Sequence, residues 1–171
     1  EATAAPVTPW QDVTANRGLM DTKPAPGKVV ATRTIDEIGV TVWTLSNGVE
    51  VWLKPTDFKN DEILFRATAL GGASLADPAD YQEAANVTSM LGETGFGGFK
   101  PVELEKLLTG KLVSGSPIVG NYTHGLAGSS TPKDLETALQ LLYLNMTQPG
   151  DRAEGFEVWK KRLATSVANR L

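Results

Sequence analysis

The stretch D-P-A-D-Y-Q-E-A-A-N-V-T-S-M-L-G-E-T-G-F-G-G-F, from Asp77 to Phe99, decides how the rest of the chain is read. Asp77 is a good N-cap, and Pro78 suits the first helical position, where its missing N–H is no loss. Gly92 marks a C-terminal cap, and Gly95, Gly97 and Gly98 break any continuation. Between them Tyr81, Ala84, Ala85, Thr88, Met90 and Leu91 give a mostly small, apolar surface with only Glu83 charged in its middle. The pattern predicts a buried helix with no obvious chemistry of its own.

Upstream of it, Val40 to Asp57 reads as a hairpin. Val40, Val42 and Leu45 lead into Ser46-Asn47-Gly48, and Val49, Val51 and Leu53 alternate with polar or amphipathic residues on the way out. Asn-Gly predicts a two-residue type I′ turn. Ile63 to Leu70 reads as a further strand closed by Gly71-Gly72. Downstream, Pro101 opens a short helix to Leu108, and Leu112–Ile118 with Asn121–Ala127 suggest an antiparallel pair. Pro117 marks the first of these as an edge strand, because proline cannot donate to a ladder. Thr131 caps a helix running to about Thr147, with Asp134 at the capping-box position. Pro149-Gly150 ends it. A last helix from Arg152 carries Phe156, Trp159, Leu163 and Val167 on one face. Strands, two helices, strands and two helices in that order predict an α+β fold: a mostly antiparallel sheet with helices packed on one face.

Residues 1–28 hold Pro6, Pro9, Pro24 and Pro26 among Ala and Thr, with too little apolar surface to offset the entropy of ordering. They read as an interdomain linker anchored at Trp10 and Met20, ahead of a domain over 29–171. The opening on Glu1 and a finish still in helical pattern suggest a piece of a longer polypeptide, so the domain is expected to be truncated at its C-terminus.

The 171 residues suffice for one domain with a real core, or for one and part of another. Sixteen Lys and Arg against 20 Asp and Glu leave a net charge of -4, with the basic residues scattered except at Lys160-Lys161-Arg162. That distribution argues against a nucleic-acid partner, which demands a concentrated basic surface; the short run reads as a solvated helix face. No Cys is present, so neither disulfides nor thiolate zinc sites form. No apolar run approaches the ~20 residues of a membrane span, and no signal-peptide pattern precedes the first segment.

A zinc hydrolase needs three protein ligands and an open position for water. His124 is the only imidazole, so this chain cannot assemble such a site alone, and His124 itself reads as a hydrogen-bonded sheet residue. No G-x-S-x-G elbow is present, and Gly115-Ser116-Pro117 and Gly128-Ser129-Ser130 read as strand ends and turns. Glu103 and Glu105, two apart, do not share a helix face. Gly95-Phe96-Gly97-Gly98-Phe99 follows a helix, not a strand, and lacks a Lys-Ser/Thr pair, so it reads as a close-packing loop and not a phosphate cradle.

The order of these signals resembles the pitrilysin/insulinase family of zinc metallopeptidases. The features that carry the likeness are T-L-S-N-G-V-E-V-W-L-K-P-T-D-F from Thr44 to Phe58, A-L-G-G-A-S-L from Ala69 to Leu75, T-S-M-L-G-E-T-G-F-G-G-F, L-E-K-L-L-T-G-K, and G-S-S-T-P-K-D-L-E-T-A-L-Q-L-L. Phe156, Lys160 and Leu163 add the final helix, and the likeness covers residues 28–171. It implies an α+β unit of the LuxS/processing-peptidase type. In catalytic copies the first long helix bears H-x-x-E-H followed by Met-Leu or similar. Setting Met90-Leu91 on that tail puts Ala85, Thr88 and Ser89 at the two His ligands and the Glu base, and none of the three can do that work. The family's further glutamate falls near Ala164 to Ala168, where no acid stands; Glu157 is the nearest.

The resemblance therefore implies a non-catalytic unit, with no catalytic residue, metal ligand or cofactor in this chain and zinc held by a catalytic half elsewhere. The unit would form the wall of a peptide-enclosing chamber. Its partner would be that catalytic half or subunit, and its contact with peptide substrate would be weak. A separate scaffold subunit pairing with a catalytic chain is the alternative, and a stand-alone enzyme with an unrecognised carboxylate site is a third option. The lack of Cys and the likeness to bacterial members point to a periplasmic or otherwise exported location.

Overall fold

Alternation of β-branched residues builds the first sheet. In a computed structural model that describes residues 17–170, β1 (Val29–Ile35), β2 (Val40–Leu45) and β3 (Glu50–Leu53) pair antiparallel in the order β1-β2-β3. They lie in one compact unit, Met20–Glu62; the described residues before Met20 and those from Ile63 onward form the other. Val40 and Val42 on the central strand are buried, as the apolar alternation requires. Met20 is half-buried, whereas Trp10 lies outside the described residues.

The hairpin turn differs from the type I′ expectation. The Gly48 amide donates to the Leu45 carbonyl at 2.9 Å, the Leu45 amide donates to Val49 at 2.8 Å, and Gly48 alone is left-handed, at φ 85°. This is a three-residue loop ending in a glycine bulge. Asn47 keeps a negative φ because its side-chain oxygen accepts from the Val49 amide at 3.2 Å, an Asx-type bond that leaves the left-handed position to the glycine. Strand β1 was not anticipated as a strand, although V-V-A-T-R-T-I is rich in β-branched residues.

In the other unit β4 (Ile63–Leu70), β6 (Thr123–Ser130) and β5 (Val113–Val119) form an antiparallel sheet in the order β4-β6-β5. The strands thus make two three-stranded ladders, where the sequence suggested one sheet. Four helices follow the expected order: α1 (Tyr81–Thr94), α2 (Pro101–Leu107), α3 (Leu135–Thr147) and α4 (Ala153–Ala168). Helix α3 packs on β5 and β6, α1 on β5, and α4 on α1. The core between α3 and the sheet is buried Leu126, Ala138, Leu141 and Leu144, joined by Phe99 and Leu104. Gly128 is needed there, because a Cβ on it would stand 2.6 Å from the Phe65 ring that crosses from the neighbouring strand.

Helix α1 starts and stops later than its sequence suggests. Asp77 and Pro78 lie in a turn closed by the Asp80 amide to the Asp77 carbonyl at 2.9 Å, and the helix begins at Tyr81. It runs through Gly92 to Thr94 and ends at Gly95, which is left-handed at φ 71°. A Cβ at Gly95 would stand 2.2 Å from the Phe99 carbonyl oxygen, while one at Gly92 would meet nothing. Close approach of the returning loop, and not the first glycine in sequence, therefore stops the helix. Nor is α1 buried: only Thr94 is, and Glu83, Asn86 and Ser89 are exposed.

Candidate functional site

Two helices and a glycine-rich loop converge around the second half of α1. The loop after α1 turns through left-handed Gly95, Gly97 and Gly98 and is fixed by Arg152, at the start of α4. The Arg152 guanidinium donates to the carbonyls of Thr94 at 3.2 Å, Phe99 at 2.8 Å and Gly98 at 2.7 Å. Three carbonyls converging on a cation is the opposite polarity to a phosphate cradle, which presents N–H groups, so the loop serves packing. The Arg17 guanidinium lies 4.0 Å from the centre of the Phe99 ring, a cation–π contact that fastens the chain ahead of Met20 to this loop. Charge-assisted bonds to carbonyls of this kind contribute about 1.5–3 kcal/mol each when sheltered. No local pattern announces them, since Arg152 bonds to residues more than fifty positions earlier.

Of the three positions singled out on α1, Ala85 and Thr88 are half-buried and Ser89 is exposed. Helical spacing brings all three to one side. The Ser89 hydroxyl donates to the Asn86 carbonyl at 2.7 Å and accepts from the Trp159 indole N–H of α4 at 2.9 Å. One turn on, Glu93 of α1 pairs with Arg162 of α4. Gly155 lets the helices touch, since a Cβ there would stand 2.6 Å from the Glu93 carbonyl oxygen. The α1–α4 seam is thus a glycine contact flanked by a hydrogen bond and an ion pair. The sequence marked Trp159 as part of an apolar face but gave no sign of its bond to Ser89. Glu157 pairs with Lys160 at 3.0 Å within α4.

On another side of α1, Ala84, Val87 and Met90 line a groove of about 690 Å³. Phe156 and Trp159 of α4 line it too, their rings stacked with centroids 5.8 Å apart, as does His124 of β6. His124 is a sheet residue with a hydrogen bond, as its setting in the sequence suggests: its Nδ1 accepts from the Gly72 amide at 3.3 Å. That bond places the imidazole proton on Nε2. The groove does not include Ala85, Thr88 or Ser89. Among the described residues no three His, Cys, Asp or Glu side chains come together in a way that could hold a metal ion.

Helix α3 starts on a second polar cluster. The Thr131 hydroxyl accepts from the Asp134 amide at 3.2 Å, the bond that the sequence predicts, but it caps a 3-10 turn over Pro132–Asp134 that leads into α3 at Leu135; the buried Asp134 carboxylate accepts from the Leu112 amide at 3.1 Å. The Leu112 N–H is the main cause that holds the Asp134 carboxyl below its usual range; the Thr131 hydroxyl and the Lys111 and Lys133 charges add to it, against an opposing effect of burial. This cluster ties the start of β5 to α3 and carries no reacting group.

The unit so built, an antiparallel sheet with α1 and α3 on it and a paired α4, has counterparts of known structure and sequence. In sequence and fold it matches a segment of the pitrilysin/insulinase-like zinc proteases. Among particular relatives, the PQQL-like zinc protease of Arabidopsis thaliana is 33% identical over 137 residues, 80% of this chain and 12% of that protein. A probable zinc protease PqqL of Haemophilus influenzae is 28% identical over 102 residues, 60% of this chain and 11% of that protein. The crystal structure of the periplasmic protease PqqL from Escherichia coli superposes with a TM-score of 0.77 at 18% identity, covering 98% of this chain and 18% of that one. A ferredoxin protease, FusC, in complex with Arabidopsis ferredoxin superposes with a TM-score of 0.69 at 20% identity, over 86% of this chain and 16% of that one. No family model matches the chain. The matched residues thus span only 11–12% of the length of these curated relatives.

Proposed function

We propose that this chain is a non-catalytic unit of a zinc metalloendopeptidase, forming part of the wall of a peptide-enclosing chamber opposite a catalytic half that lies outside these residues. The observation that carries the reading is the α1–α4 seam. At the positions where catalytic copies hold ligands and base, Ala85 offers no donor atom, Thr88 only a neutral hydroxyl, and the Ser89 hydroxyl is engaged by Asn86 and Trp159. A zinc ion does not fit these residues, and no step of hydrolysis is routed through them. Zinc belongs to the parent enzyme, in keeping with the zinc proteases that the chain resembles.

Residues 1–28 then act as the linker ahead of a domain over residues 29–171, with Arg17 on Phe99 as one of its fastenings. The catalytic half is a partner in the same polypeptide. This arrangement is favoured over a separate subunit because the curated relatives are about eight times longer than the segment they share with this chain. An exported, periplasmic location accords with the E. coli neighbour, which is a periplasmic protease. Contact with peptide through β5 is weak. The Gly120 amide bonds to Thr123 at 2.8 Å, so by antiparallel alternation the even residues of β5 face β6 and Pro117 faces outward, where a donor is missing.

The test is peptide cleavage by the full-length protein carrying Thr88→Ala. Unchanged kcat and KM are expected, because Thr88 has no part in the chemistry. A loss of kcat of about a hundredfold or more, the scale of a removed general base, would sink the proposal.

A further inference from the structure

The groove beside α1 holds two polar groups that the fold leaves unused. Its lining is largely apolar, with Val87, Met90, Val119 and the stacked Phe156 and Trp159. Glu83 is the only carboxylate in that lining, and no Lys or Arg lines it. Among the described residues nothing pairs with the Glu83 side chain, whereas Glu93, the other acid of α1, is held by Arg162. A place in the first turn of α1 suits an acid through the helix dipole but leaves the carboxylate oxygens free. The second unused group is the Nε2–H of His124, whose Nδ1 takes the Gly72 amide.

Glu83, Val87 and Met90 stand at i, i+4 and i+7 and so share one side of α1. The carboxylate thus heads an apolar strip about 10 Å long, in a groove that also presents two aromatic rings, whose faces attract cations. Lys160 stands 5.5 Å from the centre of the Phe156 ring and is balanced by Glu157 at 3.0 Å, so Trp159 is the ring left for a second cation. A ligand matching these groups has an alkyl stem for the strip, a cation at its end for Glu83, and a carbonyl near the stem for His124. A lysine or arginine residue within a peptide has all three.

We propose that this groove is a subsite for a lysine or arginine residue of the peptide that the chamber encloses. The inference rests on the chamber-wall reading and adds a substrate preference to it. Charge decides the occupant: an all-apolar segment would cover the Glu83 carboxylate without supplying a counter-charge, at a desolvation cost that a basic residue avoids.

The test is binding to the full-length protein of Gly-Ser-Ala peptides that carry a neutral dye and differ at one position, which is Lys, norleucine or Glu. Stopped-flow anisotropy reads the Kd before cleavage sets in. An exposed ion pair with a cation–π contact should make the Lys peptide bind about tenfold more tightly than the norleucine peptide, whose stem is alike but uncharged. The Glu peptide should bind more weakly than both. Glu83→Gln should bring the Lys peptide to the norleucine value and leave the norleucine peptide unchanged. Lys and norleucine peptides that bind alike, or a Lys preference that survives Glu83→Gln, would overturn the inference while leaving the chamber reading in place. Absence of binding by all three peptides would overturn both.

Discussion

Asp134 shows how one side chain can join two elements. Its carboxylate receives the Leu112 amide at the start of β5 and lies 3.9 Å from Lys111, while its own amide is capped by Thr131 at the start of α3. Because these partners favour the charged form, its folded pKa is depressed below the ordinary value of about 3.9. The stabilisation is therefore fully present above the unfolded-state value and is lost as pH falls through the lower, folded one. Asp134→Asn removes that contribution. The variant should unfold at lower urea at neutral pH, and its midpoint should fall less steeply than that of the parent protein below about pH 4. Urea titrations across the acid range measure both. Equal acid slopes for the two proteins would show that Asp134 is not linked to folding in this way.

At the scale of elements the α1–α4 seam turns on Gly155. Alanine is a better helix former than glycine by about 1 kcal/mol, so an exposed helical Gly→Ala would stabilise. Here the new Cβ would meet the Glu93 carbonyl oxygen at 2.6 Å and Thr94 Cα at 2.8 Å, both backbone atoms that cannot swing aside. Overpacking of this kind costs about 1–3 kcal/mol, so Gly155→Ala should destabilise on balance and weaken the Trp159–Ser89 bond. A thermal shift downward, with greater solvent exposure of Trp159 by fluorescence, is the expected outcome; a gain in Tm would contradict it.

The elements themselves were largely legible in the sequence, because their signals are local. Hydrophobic period marked α3 and α4, Pro101 marked the start of α2, and Thr131-x-x-Asp134 marked the capped turn that leads into α3. What misled was also local. Gly92 resembles a C-cap, yet the stop falls at Gly95, where Phe99 returns on the backbone. Asn47-Gly48 resembles a two-residue turn, yet a side-chain bond to Val49 selects the three-residue form. Ser89–Trp159 and the Arg152 contacts left no local trace, since they join residues 53 to 70 positions apart. The candidate positions Ala85, Thr88 and Ser89 came from resemblance to a motif and not from any feature of their own.

At the scale of the whole molecule, this chain is a segment whose fold is matched by much longer zinc proteases, and several of its features look outward. The groove lined by α1 and α4, with its stacked Phe156 and Trp159, and the exposed Leu64 and Leu70 lie at its surface. In the proposed account this part shapes the chamber while the chemistry of hydrolysis stays in the other half. The most direct test is the zinc content of the purified full-length protein, measured by elemental analysis beside its Thr88→Ala variant. The account predicts a single zinc ion per polypeptide in both. A variant that loses its zinc, or a parent protein that holds none after metal-replete purification, would contradict it.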